Sequence, residues 1–326
     1  MEREHCLGAA VPARLGADLL AHLDGQESPV EPSTEAVANA VSLALHEDLT
    51  PNGDLSAALI PSLIFAEGVL SSRSTGVLAG SACATEAFAQ IDPAVEVVWL
   101  RNDADRITAG DVIATVQGPL ASILTAERTA LNFLSRLSGV ATTTAQWVEA
   151  VAETDVRIWD TRKTTPGHRA LERAAVRAGG GWNHRTNLSH WVMLKDNHLI
   201  GASVSEAVAA SRLLWPGRTV HVECETLEQV RESLEAEADA LLLDNMSPES
   251  ITMCVAAVRD HAEYHGWRPL IEASGGITLD RVATYASIGV DYISTSALTS
   301  GASPLDIGLD LDSEQSRDPG LQSGGR

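Results

Sequence analysis

From residue 155 onward the chain keeps one rhythm, and that rhythm limits the folds open to it. Short apolar runs recur as "VRIWD" (156–160), "WVMLKD" (191–196), "TVHVECE" (219–225), "ALLLDN" (240–245), "PLIEASGG" (269–276) and "VDYISTSA" (290–297). Between them lie segments of helical periodicity, such as "SVSEAVAASRLL", "TLEQVRESLEAEA" and "SPESITMCVAAVRDHAEYH". Strand-length runs alternating with helices predict parallel βα units, because parallel strands need a crossover between them. Six such units can close toward a barrel or lie in an open doubly wound sheet. No GxGxxG follows the first run, so a dinucleotide site has no support. Each run ends in a polar or glycine-rich group: Asp160, Lys195-Asp196, Glu223 and Glu225, Asp244-Asn245, Ser274-Gly275-Gly276, and Ser294 to Ser296. In a βα barrel these ends converge on one face, where the following loops build a binding site. The pattern favours the barrel.

The upstream half reads differently. Residues 34–66 begin with a helical stretch, "TEAVANAVSLAL", with Val37, Val41 and Leu45 four apart. Residues 67–118 turn to strands and tight turns, and residues 121–153 to an amphipathic helix. The expected organisation is an extension over 1–33, an α/β unit over 34–120, a barrel over 121–312 and a tail over 313–326. The extension reads as loosely held, with one amphipathic turn at "LGADLLAHL". The tail, "SEQSRDPGLQSGGR", lacks apolar periodicity and reads as disordered.

Charge adds the second constraint. The chain carries 44 acidic residues against 23 Lys and Arg, a formal net charge of −21, which argues against nucleic-acid or anionic-membrane partners. No apolar stretch reaches the ~20 residues of a membrane span, and no signal-peptide core is visible near the start. Cys6, Cys83, Cys224 and Cys254 are scattered and read as reduced. A cytoplasmic enzyme is expected. Yet ten of the 23 basic side chains fall between Arg128 and Lys195, and the only two lysines, Lys163 and Lys195, are among them. "DTRKTTPGHR" (160–169) and "GGGWNHR" (179–185) carry most of the rest. A basic cluster on so acidic a chain predicts an anion site.

The chemistry of the predicted rim follows from residue type. Arg162, Lys163, His184, Arg185 and Lys195 suit carboxylates and phosphates, arginine by bidentate contact and lysine as a point charge. Glu223 and Asp244 suit Mg²⁺ shared with substrate oxygens, and "SGG" at 274–276 suits phosphate. Taken singly, the alternative for Glu223 or Asp244 is a buried partner of a barrel-core basic residue. Lys195 is also open to a Schiff-base role in a barrel lyase. His261 and His265 have helical i, i+4 spacing but no third ligand, and read as a solvated helix face. His190 and His198 are expected to point away from His184.

Several long motifs together resemble one family. "ERTALNFLSRLSGVAT" (127–142), "DTRKTTPG" (160–167), "GGGWNHR", "LKDNH", "VECETLEQ", "LLLDNMSPE", "EASGGIT" and "GVDYIS" are similar to the nicotinate-nucleotide pyrophosphorylases, the decarboxylating quinolinate phosphoribosyltransferases. "HEDLTPNGDLSAALIP" (46–61) resembles that family's N-terminal signature. The resemblance implies an N-terminal α/β sandwich, a C-terminal incomplete, TIM-like α/β barrel, and a homodimer or higher oligomer with shared active sites. It implies conversion of quinolinate and phosphoribosyl pyrophosphate to nicotinate mononucleotide, pyrophosphate and CO₂ in NAD biosynthesis, with Mg²⁺ and no organic cofactor. It implies that Arg128 reaches the partner's site and that Arg162, His184, Arg185 and Lys195 hold quinolinate, with Thr161 and Lys163 beside them. Glu223 and Asp244 would bind Mg²⁺ or ribose, and Ser274, Gly275 and Gly276 the 5-phosphate, next to Ser296. Lys163, Lys195, Glu223 and Asp244 are the expected catalytic set. The chain departs from the family's usual pattern at His168, Trp182, Asn187, Trp191 and Ser296. These departures leave a paralogue acting on another pyridine or azine acid as the alternative, and place Trp182 and Trp191 as candidates for tuning the acceptor.

Overall fold

The computed structural model describes residue 13, residues 17–25 and residues 31–311. The predicted tail and most of the predicted extension, with Cys6, lie outside the described residues. Within them the chain forms two compact units that are discontinuous in sequence. One takes residues up to 25 together with 146–163 and 181–297; the other takes 31–145, 164–180 and 298–311.

The extension begins, in its described part, with helix α1 (Ala17–Gly25). It belongs to the first unit, and its attachment corrects the loosely held reading. Leu19 and Leu23 are 1% and 4% exposed and join a core cluster with Trp159, Trp191, Ala240, Leu270 and Tyr292. Asp18 accepts from the Thr219 backbone N–H (3.1 Å) and from its hydroxyl (2.6 Å). Burying two leucines contributes roughly 3–6 kcal/mol, enough to order a short helix that would not persist alone.

The second unit opens with α2 (Thr34–Leu49), capped by Ser33, whose hydroxyl accepts from the Ala36 N–H. Its sheet combines β1 (Phe65–Ser72), β3 (Glu96–Trp99) and β5 (Val112–Pro119) with the C-terminal strand Ile307–Leu311, in the order C-terminal strand, β1, β5, β3. All three pairings are antiparallel. A two-stranded ribbon, β2 (Gly76–Val77) with β4 (Arg106–Ile107), and helix α3 (Ser81–Ile91) complete its first part. Helix α4 (Leu120–Ala150) and α5 (Arg169–Ala178) follow. The grouping departs from the expected boundaries at 120/121 and 312. The last strand pairs with β1, and α5 buries Leu171, Ala175 and Val176 in this unit. Glu172 of α5, fully buried, accepts from Arg136 Nε (3.2 Å) and Nη2 (2.9 Å) and from Thr165. Arg136 also donates to the carbonyls of Thr299 (2.6 Å) and Ala302 (2.8 Å).

The first unit holds the predicted βα series. Six strands, β6 (Arg157–Trp159), β7 (Val192–Leu194), β8 (Val220–Cys224), β9 (Ala240–Asp244), β10 (Leu270–Ser274) and β11 (Tyr292–Ser294), form one parallel sheet in the order β6-β11-β10-β9-β8-β7. Helices α6 (Val204–Leu214), α7 (Leu227–Glu235), α8 (Pro248–His265) and α9 (Val282–Ala286) are the crossovers. Capping boxes at Ser203/Glu206 and Thr226/Gln229 start α6 and α7. On the free edge of β6, Trp182 adds one bridging residue opposite Trp159. A parallel sheet of six strands with a single bridging residue beyond it is an incomplete barrel. The apolar cluster includes Ala240 and Leu270, the first residues of β9 and β10, so it plugs the N-terminal end of the strands.

Candidate active site

The opposite, C-terminal ends of the strands gather the predicted residues of this unit. Thr161, Arg162 and Lys163 follow β6, Lys195 follows β7, and Glu223 lies in the last turn of β8. Asp244 and Ser274 close β9 and β10 in register with each other, and Ser296 follows β11. Lys195 and Glu223 sit on neighbouring strands, and the ammonium contacts the Glu223 carboxylate directly. That is an ion-pair arrangement, which does not favour the nucleophilic amine of a Schiff-base enzyme. Arg128 is exposed on α4, in the other unit. His168 caps the start of α5, also in that unit.

His184 and Arg185 lie in a stretch with almost no regular structure, and a single carboxylate anchors it. Asp160, fully buried at the end of β6, accepts from the His184 backbone N–H (2.7 Å) and from Asn183 Nδ2 (2.9 Å). The Trp182 N–H donates to the Ile158 carbonyl (2.8 Å), and the Asp160 N–H to the Trp182 carbonyl (3.0 Å). These bonds lay residues 182–184 along β6 and satisfy backbone groups that burial would otherwise leave open.

Behind the rim lies a buried cluster that sequence reasoning did not assign. The Arg185 N–H donates to His184 Nδ1 (2.7 Å), so His184 presents an Nε2 proton to Glu272 Oε2, 3.1 Å away. His221 Nε2 lies 3.4 Å from the same oxygen. Burial opposes ionisation of Glu272. The charges of His184 and His221, with hydrogen bonds from His184 and Ser294, outweigh it and hold the carboxyl down at about 2. Burial pushes His221 down to about 4; Glu272 opposes this, and His184 and Arg185 add to it. Burial also lowers Arg185, Arg162 beside it adds to the fall, and Glu272 and Glu223 oppose it.

Among the described residues, His184, His221 and Glu272 are the one group of His, Cys, Asp and Glu side chains close enough to share a metal. The His184 tautomer turns a proton, not a lone pair, toward that point, so the group is a His184–Glu272 hydrogen bond with His221 packed beside the same carboxylate. His261 and His265 stack on each other, with ring centroids 4.2 Å apart, and are not in that group.

At the 274–276 turn, Gly275 and Gly276 have φ of +82° and +60°. A Cβ on Gly275 would lie 2.6 Å from the Asn245 backbone nitrogen, and the Asn245 N–H donates to the Ser274 carbonyl (3.0 Å). Only glycine fits that approach.

One expectation is corrected. Trp191 precedes β7 and is 2% exposed, packed in the apolar cluster at the end of the strands away from Lys195. A β-branched and aromatic strand start belongs to the core, so Trp191 does not face the rim. Trp182 is half-buried, packs against the same cluster, and has the Arg157 guanidinium 5.5 Å from its ring centre. Asn187 is exposed in the following loop, where its side chain accepts from the Ser189 N–H.

With this geometry in view, the comparisons with known proteins are specific. Residues 55–138 match the family model for the quinolinate phosphoribosyl transferase N-terminal domain, and residues 140–310 the model for its C-terminal domain. A probable nicotinate-nucleotide pyrophosphorylase (carboxylating) of Bacillus subtilis is 40% identical, over 79% of this chain and 88% of the relative. The nicotinate-nucleotide pyrophosphorylase (carboxylating) of Mycobacterium leprae is also 40% identical, over 85% of this chain and 98% of the relative. The solved structure of the nicotinate-nucleotide pyrophosphorylase from Francisella tularensis superposes with a TM-score of 0.81 at 33% identity, covering 87% of this chain and 99% of that one. Both domain matches and both relatives agree, and the chain belongs to the quinolinate phosphoribosyl transferase family.

Proposed function

We propose that the protein transfers phosphoribose from phosphoribosyl pyrophosphate to quinolinate with decarboxylation, giving nicotinate mononucleotide, pyrophosphate and CO₂ for NAD biosynthesis. The observation that carries this is the rim itself: Arg162, Lys163 and Lys195 follow strand ends, on the same parallel sheet as Glu223 and Asp244, Arg185 lies in the irregular segment before β7, and a glycine turn lies at 274–276. Arg162, His184, Arg185 and Lys195 neutralise the two quinolinate carboxylates, with Thr161 and Lys163 beside them. Holding both carboxylates fixes the ring nitrogen toward the ribosyl carbon, an orientation effect that replaces solvent ordering. Ser274, Gly275 and Gly276 take the 5-phosphate, because consecutive positive φ angles turn backbone N–H groups outward, and Ser296 lies beside them.

Glu223 and Asp244 form an all-oxygen donor pair on adjacent strands, which suits Mg²⁺ completed by substrate oxygens; the bound ion would offset the charge of departing pyrophosphate. Once the nitrogen is ribosylated, the pyridinium stabilises the carbanion left as CO₂ departs, and the cations keep that ring in place. Lys163, Lys195, Glu223 and Asp244 are the catalytic set on this reading.

The working form on this reading is a cytoplasmic homodimer with shared sites, and Arg128 serves the partner's site. Exposed Leu55, Leu59, Leu63 and Phe65 supply apolar surface of the kind that partners cover. The test of the reaction is an assay with quinolinate, phosphoribosyl pyrophosphate and Mg²⁺ that follows CO₂ and pyrophosphate separately. Equal release of both is expected. Pyrophosphate release with another pyridine acid, and none with quinolinate, would overturn quinolinate as the acceptor. The shared site is tested by mixing Arg128→Ala and Lys195→Ala chains, which should restore about a quarter of wild-type activity on statistical exchange.

A further inference from the structure

Helix α1 lies before both matched domains, which begin at residue 55, yet it touches the segment that carries the acceptor cations. Its contact is specific. His22 Nε2 lies 2.6 Å from the Asn183 carbonyl oxygen, and a carbonyl only accepts, so the imidazole donates. The His22 ring also meets two side chains at the other end of the same loop: His190, with centroids 4.8 Å apart, and Trp191, 5.3 Å. Both are near-perpendicular edge contacts. One side chain therefore grips residues 183, 190 and 191, which bracket the loop containing His184 and Arg185.

The helix that carries His22 is itself fixed. Leu19 and Leu23, three residues before His22 and one after it, are buried, and Asp18 is tied to Thr219. The opposite face of the gripped segment is held by Asp160, through Asn183 Nδ2 and the His184 N–H. Asn183 is thus fastened at its side chain by β6 and at its carbonyl by α1, immediately before His184.

We infer that His22 is a positioning residue: by donating to the Asn183 carbonyl it sets the position of His184 and Arg185, and so the affinity for the dicarboxylate acceptor. This rests on the acceptor reading proposed above. The contacts of His22 described above are with residues 183, 190 and 191 and not with the strand ends that carry Glu223, Asp244 and Ser274, so phosphoribosyl binding should be indifferent to it.

The experiment uses the full chain with His22→Ala and His22→Gln, since the glutamine amide can donate from nearly the position of Nε2. Two readouts are taken: hydrogen exchange of the amides of residues 182–186 without substrate, and KM for quinolinate and for phosphoribosyl pyrophosphate. The expected result is faster exchange in His22→Ala and a rise of about three- to tenfold in quinolinate KM, the fold-change of one hydrogen bond. Phosphoribosyl pyrophosphate KM and kcat stay within about twofold, and His22→Gln restores both readouts. Unchanged exchange in His22→Ala, or an equal rise in both KM values with no rescue by glutamine, would overturn the inference. If wild type does not use quinolinate, the acceptor reading has failed, and the exchange comparison alone decides whether His22 positions the segment.

Discussion

Two arginines, half-buried Arg136 in one unit and buried Arg185 in the other, show how the same residue type serves two ends. Arg136, in the sandwich unit, meets a fully buried carboxylate with two of its nitrogens and spends the remaining donors on two carbonyls. Arg185, in the barrel unit, is 7% exposed, and its neighbouring cation Arg162 lowers its pKa along with burial. A cation whose three nitrogens all bond the protein holds the fold. A cation buried beside another cation is less stable than it would be in water, and an anionic ligand relieves both at once. Geometry separates the structural arginine from the one proposed to bind; residue type and motif membership do not.

The largest expected effect breaks the structural side of this comparison. Arg136→Ala leaves Glu172 buried without its charge partner and should cost about 3–5 kcal/mol of stability, read by urea unfolding. A loss below about 1 kcal/mol would show that Arg136 is not the anchor its bonds describe. On the binding side, Arg185→Ala and Lys195→Ala should each lower kcat/KM for quinolinate about 100-fold or more, with circular dichroism unchanged. The melting temperature of Arg185→Ala should hold or rise, since a like-charge contact is removed; a marked fall would make Arg185 structural after all.

Glu272→Gln sharpens the contrast with a smaller effect, about 1–2 kcal/mol at neutral pH. Its signature lies in acid. The folded carboxyl is held at about 2 against an ordinary value of 4.5, so its contribution is present above 4.5 and is lost as pH falls toward 2. The variant should show a shallower loss of stability between pH 4.5 and 2, and parallel acid limbs would count against the His184–Glu272 hydrogen bond. The smallest effect belongs to Trp182. Trp182→Leu removes the contact with Arg157 and should cost about 0.5–1 kcal/mol without reordering acceptors, because the ring packs toward the core cluster. A changed acceptor ranking would return Trp182 to the pocket.

The rim was legible because its signal is one-dimensional: each apolar run stops at a polar group, and in a parallel sheet those stops share an edge. Asp160, Lys195, Glu223, Asp244 and Ser274 follow from that alone. His221 and Glu272 were missed because they sit inside apolar runs, where an isolated polar residue carries no sign of its partner. Yet strand periodicity contains them. His221 is two residues before Glu223, and Glu272 two before Ser274, so each shares its strand face with a rim residue. The unit boundaries were not readable, because what assigns Ile307–Leu311 and α5 to the sandwich unit is pairing with residues over a hundred positions away, or an ion pair across 36. Trp191 was misplaced for a related reason: nearness in sequence to Lys195 hid that a strand puts its two ends on opposite sides of the layer.

That last point has an optical consequence. β7 is three residues long, about 10 Å, so the tryptophan before it and the lysine after it are the two ends of one short rod. Trp159 meets the His184 ring edge-on and Trp191 meets it at a tilt, with ring centroids 4.8 and 5.2 Å from the imidazole. Two of the seven indoles in the chain therefore lie against one imidazole. Their fluorescence should report that ring's position, and on the function proposed above acceptor binding should change emission in the unlabelled protein.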